Sequence, residues 1–238
     1  MSTVSSIDQA DYALLNAVDL EEWQVYLLAA PNMHDIMNSP EHGLDAAALF
    51  ERFLRLWRTG LIECSLEDPF RPIEPDPDLL HEQFDAMPED SPAEDRILLY
   101  RLTGAGGRVW EELSAPDWNK LIRRRTGAIT AAGQEWVISG ADRALVEQAW
   151  KYHHAWGEWP HPVDGTVHYD VLEPYHPTYW KTLPAGYAYG FDVQDDWKKQ
   201  PLSDPALVTK WLQESMALRD IEAGWRRDFG EVCGRLAG

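Results

Sequence analysis

The strongest constraint on this chain is the change of hydrophobic period at Gly60. Upstream of it, Leu49, Phe50, Phe53, Leu54 and Trp57 recur at the spacing of one helix face, while Glu51, Arg52, Arg55 and Arg58 turn away from that face. Downstream, Leu61-Ile62-Glu63 opens a strand, and Leu98-Leu99-Tyr100-Arg101-Leu102 reads as its returning partner. Thr103 then caps a helix that runs to Leu113. Helix, strand pair and helix in that order predict an α+β unit.

Between the two strands lies an insertion, residues 66–95, that carries Pro69, Pro72, Pro75, Pro77, Pro88 and Pro92 with acids interleaved. Proline cannot donate to a ladder, so this density predicts a long extended loop with one helical turn near residues 79–84. Loops of this length are uncommon unless functional or disordered, which makes Glu74, Asp76 and Asp78 candidate partner contacts.

Residues 1–18 read as an N-terminal tail that turns apolar at Tyr12, Leu14, Leu15 and Val18 and leads into a short helix. Asp19 then suits a helix cap, with Glu21 and Glu22 in the first turn and Trp23, Tyr26 and Leu27 at helical spacing. Residues 33–38 read as a second short helix. The string from Tyr100 through Leu102-Thr103, Gly106 and Trp110-Glu111-Glu112 resembles the segment that closes the wing in the winged helix-turn-helix superfamily. That resemblance covers about residues 19–115. It implies a winged-helix fold and makes the third helix, residues 45–58, the reading helix of a DNA-binding transcriptional regulator. Arg52, Arg55 and Arg58, three apart along one helix edge, would then meet phosphates. The insertion at the wing departs from the compact members of that superfamily.

Charge argues against DNA. The 238 residues carry a formal net charge of −19, and the first hundred hold 21 acids against 5 bases. Nucleic-acid affinity comes largely from Lys and Arg neutralising phosphates. An acidic half of this kind instead suits a basic protein partner, reached faster through complementary charge. The expectation is therefore a non-catalytic interaction protein, regulatory or toxin-neutralising, with a DNA-binding regulator as the alternative. The plainer reading of the arginine edge is a solvated face with a Glu51–Arg55 pair.

Pro116 and Asp117 suit the start of a short helix through Trp118, Leu121 and Ile122 that ends in Arg123-Arg124-Arg125. Residues 126–133, rich in Gly, Thr and Ala, read as a joint. The organisation expected is a tail at 1–18, a winged-helix-like module at 19–125 and a second small α+β module at 134–238. In the second module strands are expected at 134–138, 166–172 and around Tyr187, Tyr189 and Phe191, with helices at 142–156, 204–216 and 218–236. The string Tyr179-Trp180-Lys181-Thr182-Leu183-Pro184 resembles stretches of bacterial proteins without assigned activity and implies none here.

Few features suggest catalysis. His153, His154, His161, His168 and His176 fall in one stretch with Glu158, Asp164, Asp170 and Glu173, which raises a metal-dependent enzyme as a third class, but no ligand spacing of a known metal motif occurs. Trp150, Trp156, Trp159, Tyr175, Tyr179 and Trp180 crowd the same region and suit either a core or a ligand pocket. Gly104-Ala105-Gly106-Gly107 follows a strand and opens a helix, yet Val109 stands where the dinucleotide fingerprint needs glycine. Cys64 and Cys233 are too far apart in sequence to suggest a metal ribbon or a disulfide framework. No catalytic residue, metal or cofactor is expected. With no apolar run of membrane-spanning length, the expected location is cytoplasmic; oligomeric state is left open.

Overall fold

A computed structural model describes residues 7–30, 42–66, 70–85, 92–153, 162–193 and 205–237. Its described residues form an α+β chain with two antiparallel sheets. None of its helices is long and apolar enough to cross a membrane. The chain divides into two compact units. The first takes in residues 1–115, Thr178–Lys181 and Arg227–Gly238, and the second Pro116–Pro177 and Thr182–Arg226.

In the first unit, the short helix expected at the end of the tail is α1 (Gln9–Ala17), and it is part of the core. Asp8 and Asp11 form a reciprocal capping box, and Tyr12, Ala13, Leu14 and Leu15 are fully buried. A helix buried on nearly every side, polar Asp11 and Asn16 included, has no clear amphipathic stripe. Tyr12 stacks on Phe229 with ring centroids 5.3 Å apart, and its hydroxyl lies 2.9 Å from Ser114 Oγ.

The helix expected from Asp19 is instead a two-residue strand, β1 (Trp23–Gln24), and a 3-10 turn, Val25–Ala29. Backbone pairing decided this, since Gln24 sits opposite Leu99 and the Val25 amide donates to the Leu98 carbonyl at 2.7 Å. The helix expected at 33–38 lies outside the described residues.

The amphipathic helix is present as α2 (Ala46–Arg58), capped by Asp45 and followed by Gly60 at φ +69°. Its buried face uses Leu56 in place of Trp57. β2 (Ile62–Ser65) and β3 (Leu99–Leu102) pair antiparallel, and the sheet order is β1-β3-β2.

The insertion is more structured than its prolines suggest. Pro77 opens α3 (Pro77–Asp85), where a missing N–H costs nothing, and Leu79, Leu80 and Phe84 are buried. His81 stacks on Phe50 of α2 at 3.9 Å, and Phe84 meets Phe53 edge-on at 5.7 Å. The Gln83 amide donates to the Arg96 carbonyl at 3.0 Å and accepts from the Leu98 amide at 3.1 Å, tying the insertion to the start of β3.

α4 (Gly104–Ser114) explains its glycines by packing. A Cβ on Gly106 would stand 1.9 Å from the Leu61 carbonyl oxygen, and one on Gly107 would stand 2.2 Å from the Trp180 ring. Trp180 arrives from the short segment Thr178–Lys181. Its indole N–H donates to the Asp19 carbonyl at 2.9 Å, and Tyr179 accepts from the Leu102 amide at 2.7 Å while donating to the Val18 carbonyl. The C-terminal helix α7 (Phe229–Leu236) also packs here, so the stretch expected as one module at 134–238 contributes two pieces to the first unit.

The second unit centres on a sheet of order β4-β5-β7-β6. In its first hairpin, β4 (Ile122–Ile129) replaces the expected end of a basic helix and part of the joint, while β5 (Gln134–Gly140) takes the stretch expected as a strand. Arg124 lies opposite Ile138 in that ladder, the register shifts between Thr126 and Ile129, and residues 130–133 make the turn. β6 (His168–Leu172) and β7 (Gly186–Val193) complete the sheet. α5 (Arg143–His153) covers one face, and α6 (Pro205–Ala223) is a single helix where two were expected to meet. Ile122, Ile138, Val146, Ala149, Phe191 and Leu218 form its core.

Candidate functional site

The three arginines proposed from sequence line one edge of α2, and the structure brings Arg52 and Arg55 to a common acceptor. That acceptor is Asp11 of α1, whose side chain is fully buried. Its Oδ1 accepts from Arg52 Nη1 at 3.1 Å and from Arg55 Nη2, while its Oδ2 accepts from the Asp8 amide at 3.3 Å. A buried carboxylate needs this many donors to offset its lost hydration. Arg52 also reaches the Asp8 carboxylate, which is 54% exposed. Burial acts to raise the Asp8 carboxyl, but the Arg52 guanidinium and two backbone amides outweigh it and hold the group below its ordinary range.

Asp8, Ala48, Glu51, Arg52, Arg55, Arg58 and Thr59 line a shallow cavity of about 590 Å³ along this edge. Arg58 is exposed, and its side chain has no hydrogen bond or ion pair among the described residues. The expected Glu51–Arg55 pair is replaced by Arg55–Asp11. Three guanidiniums therefore face the carboxylates of Asp8, Asp11 and Glu51, and the edge is close to neutral. Sequence reasoning missed Asp8 and Asp11, although Asp8-x-x-Asp11 ahead of an apolar run is itself a legible helix cap.

The acidic candidates lie at the entry to α3. Glu74, Asp76 and Asp78 are all exposed, and Asp76 caps the helix by accepting from the Asp78 amide at 3.0 Å. Asp85, Glu94 and Asp95 are exposed on the same insertion. Arg96 answers part of this charge by donating from Nε to Glu82 at 3.0 and 3.1 Å.

Among the described histidines, His168 Nε2 lies 3.4 Å from Asp170 and 3.8 Å from Glu135, while His176 Nδ1 lies 3.1 Å from Thr182 Oγ1. No group of three His, Cys, Asp or Glu side chains among the described residues is arranged to hold a metal. The side chain of His153, and all of His154, Glu158 and His161, lie outside the described residues, as do Trp156 and Trp159.

The described aromatics of that region pack internally. Trp150 stacks on Tyr189 at 5.3 Å, and Tyr175 is buried against Gly186. Burial, with Glu63 beside it, pushes the Cys64 thiol up to about 12. No protein-family model, curated protein or solved structure matches this chain.

Proposed function

We propose that this chain is a non-catalytic interaction protein whose first unit is a winged-helix-like module that engages a basic protein surface, in a regulatory or toxin-neutralising role. The order α1, β1, α2, β2, β3 with sheet order β1-β3-β2 supports the winged-helix reading, with α1 as its first helix and the insertion at its wing. The observation that carries the choice of partner is the pairing of Arg52 and Arg55 with Asp8 and Asp11. Two of the three guanidiniums that would meet phosphates already hold carboxylates, whereas Glu74, Asp76 and Asp78 stand exposed. An acidic surface speeds encounter with a cationic partner and repels a duplex.

The same element order also favours a second reading, a DNA-binding regulator that uses the exposed Arg58. One experiment separates the two. The immobilised chain is challenged with host extract and with genomic duplex at low and moderate salt. The proposal expects near-stoichiometric retention of a basic protein that is released by Glu74→Lys with Asp78→Lys. Asp76→Asn, which keeps the helix cap, should weaken retention to a lesser degree. Retention of duplex with a log–log salt slope of about −0.9 per phosphate, lost on Arg58→Ala, would select DNA instead.

A further inference from the structure

The cavity along α2 is unevenly filled. Asp11 grips Arg52 and Arg55 from the buried side, but Asp8 meets Arg52 at the rim with about half its side chain in solvent. Arg55 is 43% exposed and engages Asp11 through Nη2, so its Nη1 and Nε have no partner among the described residues. Arg58, one turn on, is exposed and likewise unengaged among them.

From this asymmetry we infer that the cavity is an oxyanion site, fitted to a phosphate or carboxylate group, and that Asp8 is the internal ligand such a group displaces. A planar guanidinium presents paired donors that match an oxyanion, and three of them lie on this one edge. A half-exposed ion pair is weak, so Arg52 exchanges Asp8 for an incoming anion at small cost. Asp11 stays in place throughout and keeps α1 anchored on α2. Glu51, on the same wall, repels a second negative charge and favours a compact anion over an extended one.

The test titrates the full chain at low salt with inorganic phosphate and, separately, with acetate, following the backbone amide resonances of residues 8, 52, 55 and 58. Saturable shifts are expected with at least one probe, and whichever binds more tightly identifies the source as phosphate or carboxylate. Asp8→Asn keeps the α1 cap, so the protein stays folded, and it removes the competing charge. Its affinity should rise about twofold, the worth of one half-exposed ion pair. Arg58→Gln should lower affinity by a similar factor. Glu112→Gln removes an equal charge from the exposed face of α4 and should leave affinity unchanged. The inference is overturned if neither probe saturates in the wild type and Asp8→Asn. It is equally overturned if Glu112→Gln tightens binding as much as Asp8→Asn, or if Arg58→Gln has no effect.

Discussion

Two sets of three arginines, one in each unit, show how secondary structure decides what a run of charge becomes. Arg52, Arg55 and Arg58 sit three apart on a helix and share an edge, and the first two converge on one pair of carboxylates. Arg123, Arg124 and Arg125 are consecutive on β4, so alternation sends them to opposite faces of the sheet. Arg124 donates to Glu222 of α6 at 2.7 Å, while Arg125 reaches the Pro177 carbonyl at 3.1 Å on the other side. The spaced set makes a composite site with a cavity; the contiguous set is split into separate structural contacts. Density of charge in the sequence was thus a poorer guide to a site than its spacing.

The sharpest way to break this comparison is to remove the shared acceptor. Asp11→Ala leaves two guanidiniums without their buried carboxylate and opens the capping box of α1. Its expected cost is about 2 kcal/mol of unfolding free energy, measured by urea denaturation, because the capping box and two charge-assisted hydrogen bonds from partly exposed guanidiniums are lost together. On the strand side, Glu222→Gln disconnects a single partly exposed arginine and should cost about 1 kcal/mol or less. Equal losses for the two variants would mean that convergence on α2 adds nothing beyond independent pairs.

The same contrast explains what was legible in the sequence. α2, the β2–β3 pair, α4 and the strands β5 to β7 follow from periodicity and caps, since each has a regular alternation or stripe and clear ends. α1 was legible only as a short helix at the end of a tail because it is buried on nearly every side, and α3 only as a helical turn because proline density masks a helix that uses Pro77 at its first position. Trp23, Tyr26 and Leu27 satisfy helical spacing equally well across a strand and a 3-10 turn, and only pairing with β3 distinguishes these. The three arginines of α2 were readable as a set. Their partners lie 41 to 44 residues upstream, and no local pattern links a charge to a carboxylate at that distance.

The smallest effect concerns Asp8 alone and separates its charge from its cap. Its carboxyl is held below the ordinary value of 3.8 in the folded chain, so between those two values the unfolded chain binds more protons. Stability from the Asp8–Arg52 pair is therefore complete above about pH 5 and is lost as pH falls past 3.8 through the lower folded value. Because the side chain is half exposed and screened, the amount is about 0.5 kcal/mol. Asp8→Asn retains an acceptor for the Asp11 amide but no charge, so it should be less stable than the wild type by that amount at pH 6 and indistinguishable from it once the pH lies below the folded value. A deficit that persists unchanged at the acid end would assign the role of Asp8 to the helix cap, and the rim of the α2 cavity would then lose its electrostatic distinction from the strand arginines.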